Sequence, residues 1–272
     1  MQTYVINLQR SGQRRLYMQQ LLAPYKFENL CFVEAVDGLL LDEQKIENSF
    51  LQQEAFKRYG RHAKLSEVGC SLSHRKCYEL LLQSEEDVAF IMEDDILFRL
   101  QPEDISPVIW QAQQTLRAPL PTILLLFGEY WWTRTHSHIH SFDVKTVYDA
   151  VSAQGYLINR AAAQILINSQ ASSLADDWEY IISQGIRVRA LYPHIIDQEW
   201  SSFETTISMD GYASLVRKEL SWKRRLYTYW RGGIKRILKA IGHFEPHIIP
   251  KEEPEWAIRL GLCSPSSSPS SR

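Results

Sequence analysis

Three adjacent carboxylates, Glu93-Asp94-Asp95, directly follow an almost wholly apolar run, Asp87 to Met92 (DVAFIM). Like charges held this close repel one another, so something must compensate them. Two readings fit the cluster. It is either a solvated acidic turn or a seat for a hard divalent cation such as Mg²⁺ or Mn²⁺. Such cations take oxygen ligands and commonly combine one or two carboxylates with the phosphates of a nucleotide. A second group of acids, Asp176, Asp177 and Glu179, offers candidates for a general base, or acids drawn to a helix N-terminus by its dipole. His74 shares a helical stripe with Cys70 and Cys77, at i, i+4 and i+7. A structural zinc wants a fourth ligand that this spacing does not supply. Cys70 and Cys77 therefore read as core, and His74 as either a core histidine or a site residue. His136, His138 and His140 alternate in a polar stretch, which reads as a loop beside an acceptor.

The acid cluster needs a rigid element behind it. Asp87 to Met92 reads as a strand buried on both faces, as in a parallel sheet. Thr3 to Leu8 reads as strand, followed by a turn and a helix. Leu30 to Val36 is a second strand closed by Asp37-Gly38, and Ser66 suits the N-cap of a helix to about Gln83. Thr122 to Phe127, Gln154 to Ile158 and Ile186 to Leu191 add strands, while Arg160 to Asn168 and Asp176 to Ser183 add helices. This alternation predicts an α/β fold with a largely parallel central sheet. Ligands in such sheets sit at the carboxyl ends of the strands, where the acid cluster falls. Asn7, Arg10, Arg14 and Arg15 follow or flank the first strand at the same end.

Taken together and in order, these segments resemble glycosyltransferase family 25, the lipooligosaccharide and collagen galactosyltransferase family. The residues that carry the resemblance are Tyr4-Val5-Ile6-Asn7-Leu8 with Arg10, Ser11, Arg14 and Arg15; Ala35-Val36-Asp37-Gly38; Ser66 to His74 (SEVGCSLSH); and Ile91 to Ile96. Gly155-Tyr156-Leu157-Ile158, Asp177, Pro193, Gln198 and Ser202 continue it. The resemblance implies a GT-A-like nucleotide-sugar-binding domain that transfers galactose from UDP-galactose with inversion, using Mn²⁺ or Mg²⁺. It implies Asp177, or its neighbour Asp176, as catalytic base, and Asp95 and Glu93 as metal ligands. Donor contacts would come from Asn7, Arg10, Arg14, Asp37, Gly38, His74, Glu93, Asp94 and Gln198. His194 departs from the apolar residue more usual in the family, which sets aside a metal role for it. UDP-glucose or UDP-N-acetylhexosamine as donor, and a non-catalytic carbohydrate or nucleotide-sugar binder on the same fold, are the alternatives.

Composition bounds these readings. With 272 residues, 45% of them hydrophobic, the chain can bury a sizeable core, which excludes a disordered or fibrous protein. No apolar stretch reaches the ~18 to 20 residues of a membrane span, and the start is too polar for a signal-peptide core. Four cysteines without a CxxC pair fit a reducing compartment, so the expected location is cytoplasmic and the expected acceptor a bacterial lipooligosaccharide. Residues 217–243 hold nine basic side chains against one acid, a charge of +8, leaving the remainder near −10. Apolar residues recur there at three- and four-residue steps, which predicts a basic amphipathic helical segment over 215–244, divided or bent at Gly232-Gly233, lying on an anionic membrane surface. The expected organisation is a catalytic domain over 1–214, that segment, and an extension over 245–272 ending in a disordered Ser/Pro tail. Nucleic acid is not an expected partner, because the main body is acidic and the basic stretch carries no recognised motif.

Overall fold

The structure, a computed structural model, describes residues 1–199 and 220–247. Ser202, residues 215–219 of the basic segment and the Ser/Pro tail lie outside the described residues. The chain lays down β1 (Gln2–Asn7), α1 (Gly12–Leu22), β2 (Leu30–Glu34), α2 (Glu43–Ser49), α3 (Gln52–Tyr59) and α4 (Leu65–Gln83). There follow β3 (Val88–Met92), β4 (Ile96–Phe98), α5 (Pro102–Leu116), β5 (Thr122–Leu125), β6 (Tyr130–Ile139), β7 (Phe142–Ala150) and β8 (Gly155–Asn159). Helices α6 (Arg160–Ile167) and α7 (Trp178–Ser183), strands β9 (Arg187–Tyr192) and β10 (Ile196–Gln198), α8 (Trp222–Ala240) and β11 (Phe244–Glu245) complete it.

Nine strands form one sheet, in the order β11-β6-β7-β9-β5-β8-β3-β1-β2. Six of the nine run in one sense, and β7, β8 and β11 run against it. By strand sense the sheet is thus largely parallel, although five of its eight adjacent pairs are antiparallel, β8 lying antiparallel between β3 and β5. All five residues of β3 and of β8 are buried, which is why both read as unbroken apolar runs. Helix α5 turns Ile105, Ile109, Ala112 and Leu116 inward and leaves Trp110 exposed, the period of a helix with one buried stripe.

Three local expectations are corrected. The histidine stretch is no loop: His136 and His138 stand on β6, which pairs with β7 in a hairpin. Its two-residue turn uses His140, at φ 49°, and Ser141, not the Asn-Gly pair that usually marks such a turn. Helix α4 begins one residue before Ser66; its first turn is capped by Glu67, whose Oε2 accepts from the Lys64 backbone N–H at 2.7 Å. Gly232-Gly233 does not divide the basic segment, because α8 is one continuous helix through both glycines. Their propensity cost, about 1 kcal/mol each, is offset by ion pairs from Arg231 and Lys235 to Asp149.

The entry of α4 lies close against the turn after β2. A Cβ on Gly69 would stand 2.5 Å from the Val36 carbonyl oxygen and 2.7 Å from the Gly38 nitrogen, while one on Gly38 would overlap the Leu65 carbonyl. Ser73 ties the same pair together, accepting from the Val36 N–H at 2.8 Å. Gly69→Ala should therefore force α4 away from the turn and cost about 1–3 kcal/mol by overpacking. Urea unfolding measures it, and an unchanged midpoint would mean that α4 is not fixed by this contact.

Candidate active site

The carboxyl ends of β1, β2 and β3 open on a cavity of about 510 Å³, within the range of small-molecule sites. Parallel pairing sets β1 beside both β2 and β3. Asn7, the 35–38 turn and Glu93 to Asp95 therefore emerge at one edge, and α4 closes the side with Cys70, Ser73 and His74. Asp94 is buried and accepts from Asn7 Nδ2 at 2.7 Å and Arg14 Nη1 at 2.9 Å. Asp95 Oδ2 accepts from the same Arg14 nitrogen and from Gln198 Nε2, each at 3.0 Å. Gln198 is itself fixed by Gln154, whose Nε2 donates to its Oε1 at 2.7 Å. At the rim, Arg10 Nε donates to Asp37 Oδ2 at 2.6 Å.

The acid cluster is a turn, not an extended segment. It is Asp94 and Asp95 that come together, on Arg14, while Glu93 faces His74 with its Oε1 3.4 Å from Nε2. Asp95 Oδ1 is buried and has no hydrogen-bond partner among the described residues. Burial pushes the Asp95 carboxyl up to about 7, and the charges of Glu93 and Asp94 add to the shift against Arg14. Asp94 is raised by burial too, against its bonds to Arg14 and Asn7, whereas the Arg10 hydrogen bond holds Asp37 below the usual carboxylate range. One arginine thus faces two buried aspartates with a glutamate beside them. An unpartnered carboxylate oxygen next to a second acid is a donor set that fits a hard divalent cation, which would restore the ionised state. Of the two residues expected to hold one, Asp95 carries that oxygen, while Glu93 adjoins it in sequence but faces His74.

Of the residues singled out from sequence, Arg10, Arg14, Asp37, Gly38, His74, Glu93, Asp94, Asp95 and Gln198 all line the cavity. Asn7 lies just behind them on Asp94. Arg15 instead covers the Phe32 ring at 4.6 Å. Asp177 is not among the lining residues. Its Oδ1 caps α7, accepting from the Tyr180 N–H at 3.0 Å, and its Oδ2 accepts from the Tyr59 hydroxyl at 2.6 Å. Glu179 is taken by Arg224 and Arg231. Asp176 does not line the cavity either; burial raises its pKa, its own N–H and that of Ser152 oppose the shift, and the charges of Glu93 and Asp177 add to it.

Cys77 is core, but Cys70 lies on the cavity wall rather than in the core. Both ring nitrogens of the buried His194 are engaged, with Glu245 at 2.6 Å and Asp197 at 2.8 Å, so it clamps β11 onto the body. Tyr156 is a site residue to which sequence reading gave no role: its hydroxyl lies 2.7 Å from both His74 Nδ1 and the Tyr78 hydroxyl. Its signals were its place in the Gly155-Tyr156-Leu157-Ile158 match and a hydroxyl-bearing aromatic in the buried strand β8.

Comparison with known proteins bears on this site. Two mosquito proteins, each described as "Glycosyltransferase 25 family member", share 32% identity with the chain: one from Aedes aegypti over 102 residues and one from Anopheles gambiae over 98. Each match covers 35% of this chain and 16% of the relative, so the chain spans a small part of those proteins. Among solved structures, a mannose-1-phosphate geranyltransferase from Thermus thermophilus overlaps at a TM-score of 0.37 and 9% identity, covering 72% of this chain and 76% of that one. The profile of glycosyltransferase family 25 (LPS biosynthesis protein) matches residues 1–178, a span holding the acid cluster, Arg14, α4 and both Asp176 and Asp177. By that match, over more than half of its length, the chain belongs to glycosyltransferase family 25.

Proposed function

We propose that the protein is an inverting galactosyltransferase, moving galactose from UDP-galactose to a sugar of a bacterial lipooligosaccharide. The observation that carries the reading is the buried, unpartnered Asp95 Oδ1 beside Glu93 in a cavity of about 510 Å³ at the ends of β1, β2 and β3. Mn²⁺ or Mg²⁺ held by Asp95 and Glu93 would supply charge neutralisation for a departing diphosphate. The chain's own residues do the rest. Arg14 and Gln198 fix the Asp95 carboxylate, and Arg10 and Asp37 border the cavity where a nucleoside would enter. The acceptor hydroxyl must lose a proton as the bond forms. In this reading Asp176 takes it, since Asp177 is committed to its cap and to Tyr59, and a carboxyl raised by burial binds that proton more readily.

We also propose that α8 seats the protein on an anionic membrane. Among the described residues no helix is long and apolar enough to cross one. Arg224, Arg231 and Lys235 turn inward onto Glu179 and Asp149, at 2.6–3.1 Å. The apolar side is left outward, with Trp222 67%, Trp230 59% and Ile237 63% exposed, along with Leu226 and Ile241. Arg225 and Arg236 border this ridge. Tryptophans and aliphatics in the outward face with cations at its edge suit the headgroup boundary, where each Lys or Arg contributes about 1 kcal/mol. In this reading the enzyme works on the cytoplasmic face of the membrane that carries its acceptor.

Purified protein incubated with a panel of UDP-sugars and Mn²⁺ should release UDP fastest from UDP-galactose, and EDTA should abolish the release. Asp176→Asn should lower kcat by ~10² to 10⁴, the usual range for loss of a general base. Asp177→Asn should keep most of the rate, because asparagine still caps a helix. Release from no UDP-sugar would reject the transferase reading, release from UDP-glucose alone would change the donor, and the opposite ranking of the variants would return the base to Asp177.

Co-sedimentation with vesicles tests the membrane reading. Binding to anionic vesicles that falls with salt and is lost in the Trp222→Ala, Trp230→Ala double variant is expected. Absence of binding at low salt would reject it.

A further inference from the structure

On the wall of the same cavity, Cys70 Sγ, a ring nitrogen of His74 and a Glu93 carboxylate oxygen lie within 4.8 Å of one another. We infer that these three side chains form a binding site for a thiophilic divalent cation of the zinc class, separate in ligand chemistry from the hard-cation seat at Asp95. The inference rests on the three side chains and stands whether or not the cavity takes a nucleotide sugar.

Five features support it. Sulfur, imidazole nitrogen and carboxylate oxygen are the ligand types of zinc, whereas a thiolate is a poor partner for Mg²⁺ or Mn²⁺. Cys70 and His74 stand four residues apart on α4, so the helix presents both to one point. Ligands sharing a tetrahedral zinc lie about 3.3–3.8 Å apart, from bonds of about 2.0–2.3 Å. The 3.4 Å between His74 Nε2 and Glu93 Oε1 already has that spacing, and Cys70 Sγ lies within 4.8 Å of both partners' ligand atoms.

The histidine is also held as metal-binding histidines are. Its Nδ1 lies 2.7 Å from the Tyr156 hydroxyl, which lies 2.7 Å from the Tyr78 hydroxyl. A hydrogen bond from Nδ1 to Tyr156 leaves the Nε2 lone pair toward Glu93, the outer-shell support that fixes tautomer and ring orientation. Finally, burial, and after it the negative charges of Glu93, Asp176, Asp95 and Glu67, push the Cys70 thiol well above its usual range. A dication there offsets them, and the thiol proton passes to solvent as the sulfur–metal bond forms. Three protein ligands facing a cavity leave the fourth position open, the pattern of a site that can take water or a phosphate oxygen. Because Glu93 belongs to both ligand sets, the two cations compete for it.

Protein stripped with EDTA and then titrated with Co²⁺, a coloured stand-in for Zn²⁺, tests the site. One equivalent should bind with a sulfur-to-cobalt charge-transfer band, and Zn²⁺ should displace it. Cys70→Ser should lose the band, Cys31→Ser should keep it, and Tyr156→Phe should weaken affinity by about 10–100-fold. Should Cys70→Ser not fold, the wild-type protein decides: Zn²⁺ should slow iodoacetamide alkylation of Cys70, read by peptide mapping, at least tenfold. Absence of binding, binding without the sulfur band, or a Cys70 alkylation rate indifferent to Zn²⁺ would each overturn the assignment.

Discussion

A single guanidinium nitrogen of Arg14 bonds two buried aspartates, Asp94 and Asp95, and the arrangement of the molecule follows from that shortage of positive charge. Taking a carboxylate out of water costs several kcal/mol unless it is paired and fully hydrogen-bonded. Asp94 meets that demand with Asn7 and Arg14. Asp95 meets only half of it, because one oxygen is bonded and the other is not. The partners come from the consecutive elements β1 and α1 and from β10, far away in sequence, and the fold brings these donors together. What remains uncompensated is a local negative charge at the mouth of a cavity, the charge that the proposed cation would offset.

The same residues show how much of this was legible in the chain. Strands β1, β3, β5 and β8 could be read because a buried strand leaves an apolar run whatever its neighbours are, while β2 and β9, only partly buried, read as short β-rich runs. The antiparallel sense of β8 could not, since nothing in an apolar run records its direction. The β6–β7 hairpin escaped because its outer face is polar and its turn relies on a left-handed histidine. Most of the cavity residues were found, since strand ends and adjacent carboxylates are local signals. Roles that depend on a distant partner were not. Nothing near Asp177 in sequence shows that Tyr59 occupies it, and nothing near Cys70 shows that Glu93 stands opposite.

Helix α8 makes the point for a surface. Spacing alone revealed an apolar stripe and a set of cations, but not which side would face the body. Glu179 and Asp149 decide it by pairing with Arg224, Arg231 and Lys235. The usual economy of an amphipathic helix, apolar in and charge out, is thereby reversed over three of its turns. Charge thus organises both regions: acids outnumber their cationic partners at the cavity, and acids on the body turn the basic helix around.

The claim on which the account rests is that the acid cluster receives a diphosphate only together with a divalent cation. Calorimetric titration of UDP into the protein, with Mn²⁺ and again in EDTA, measures this directly. The account predicts roughly hundredfold tighter binding with Mn²⁺, on the order of 2.7 kcal/mol. Equal affinity in the two buffers would contradict it.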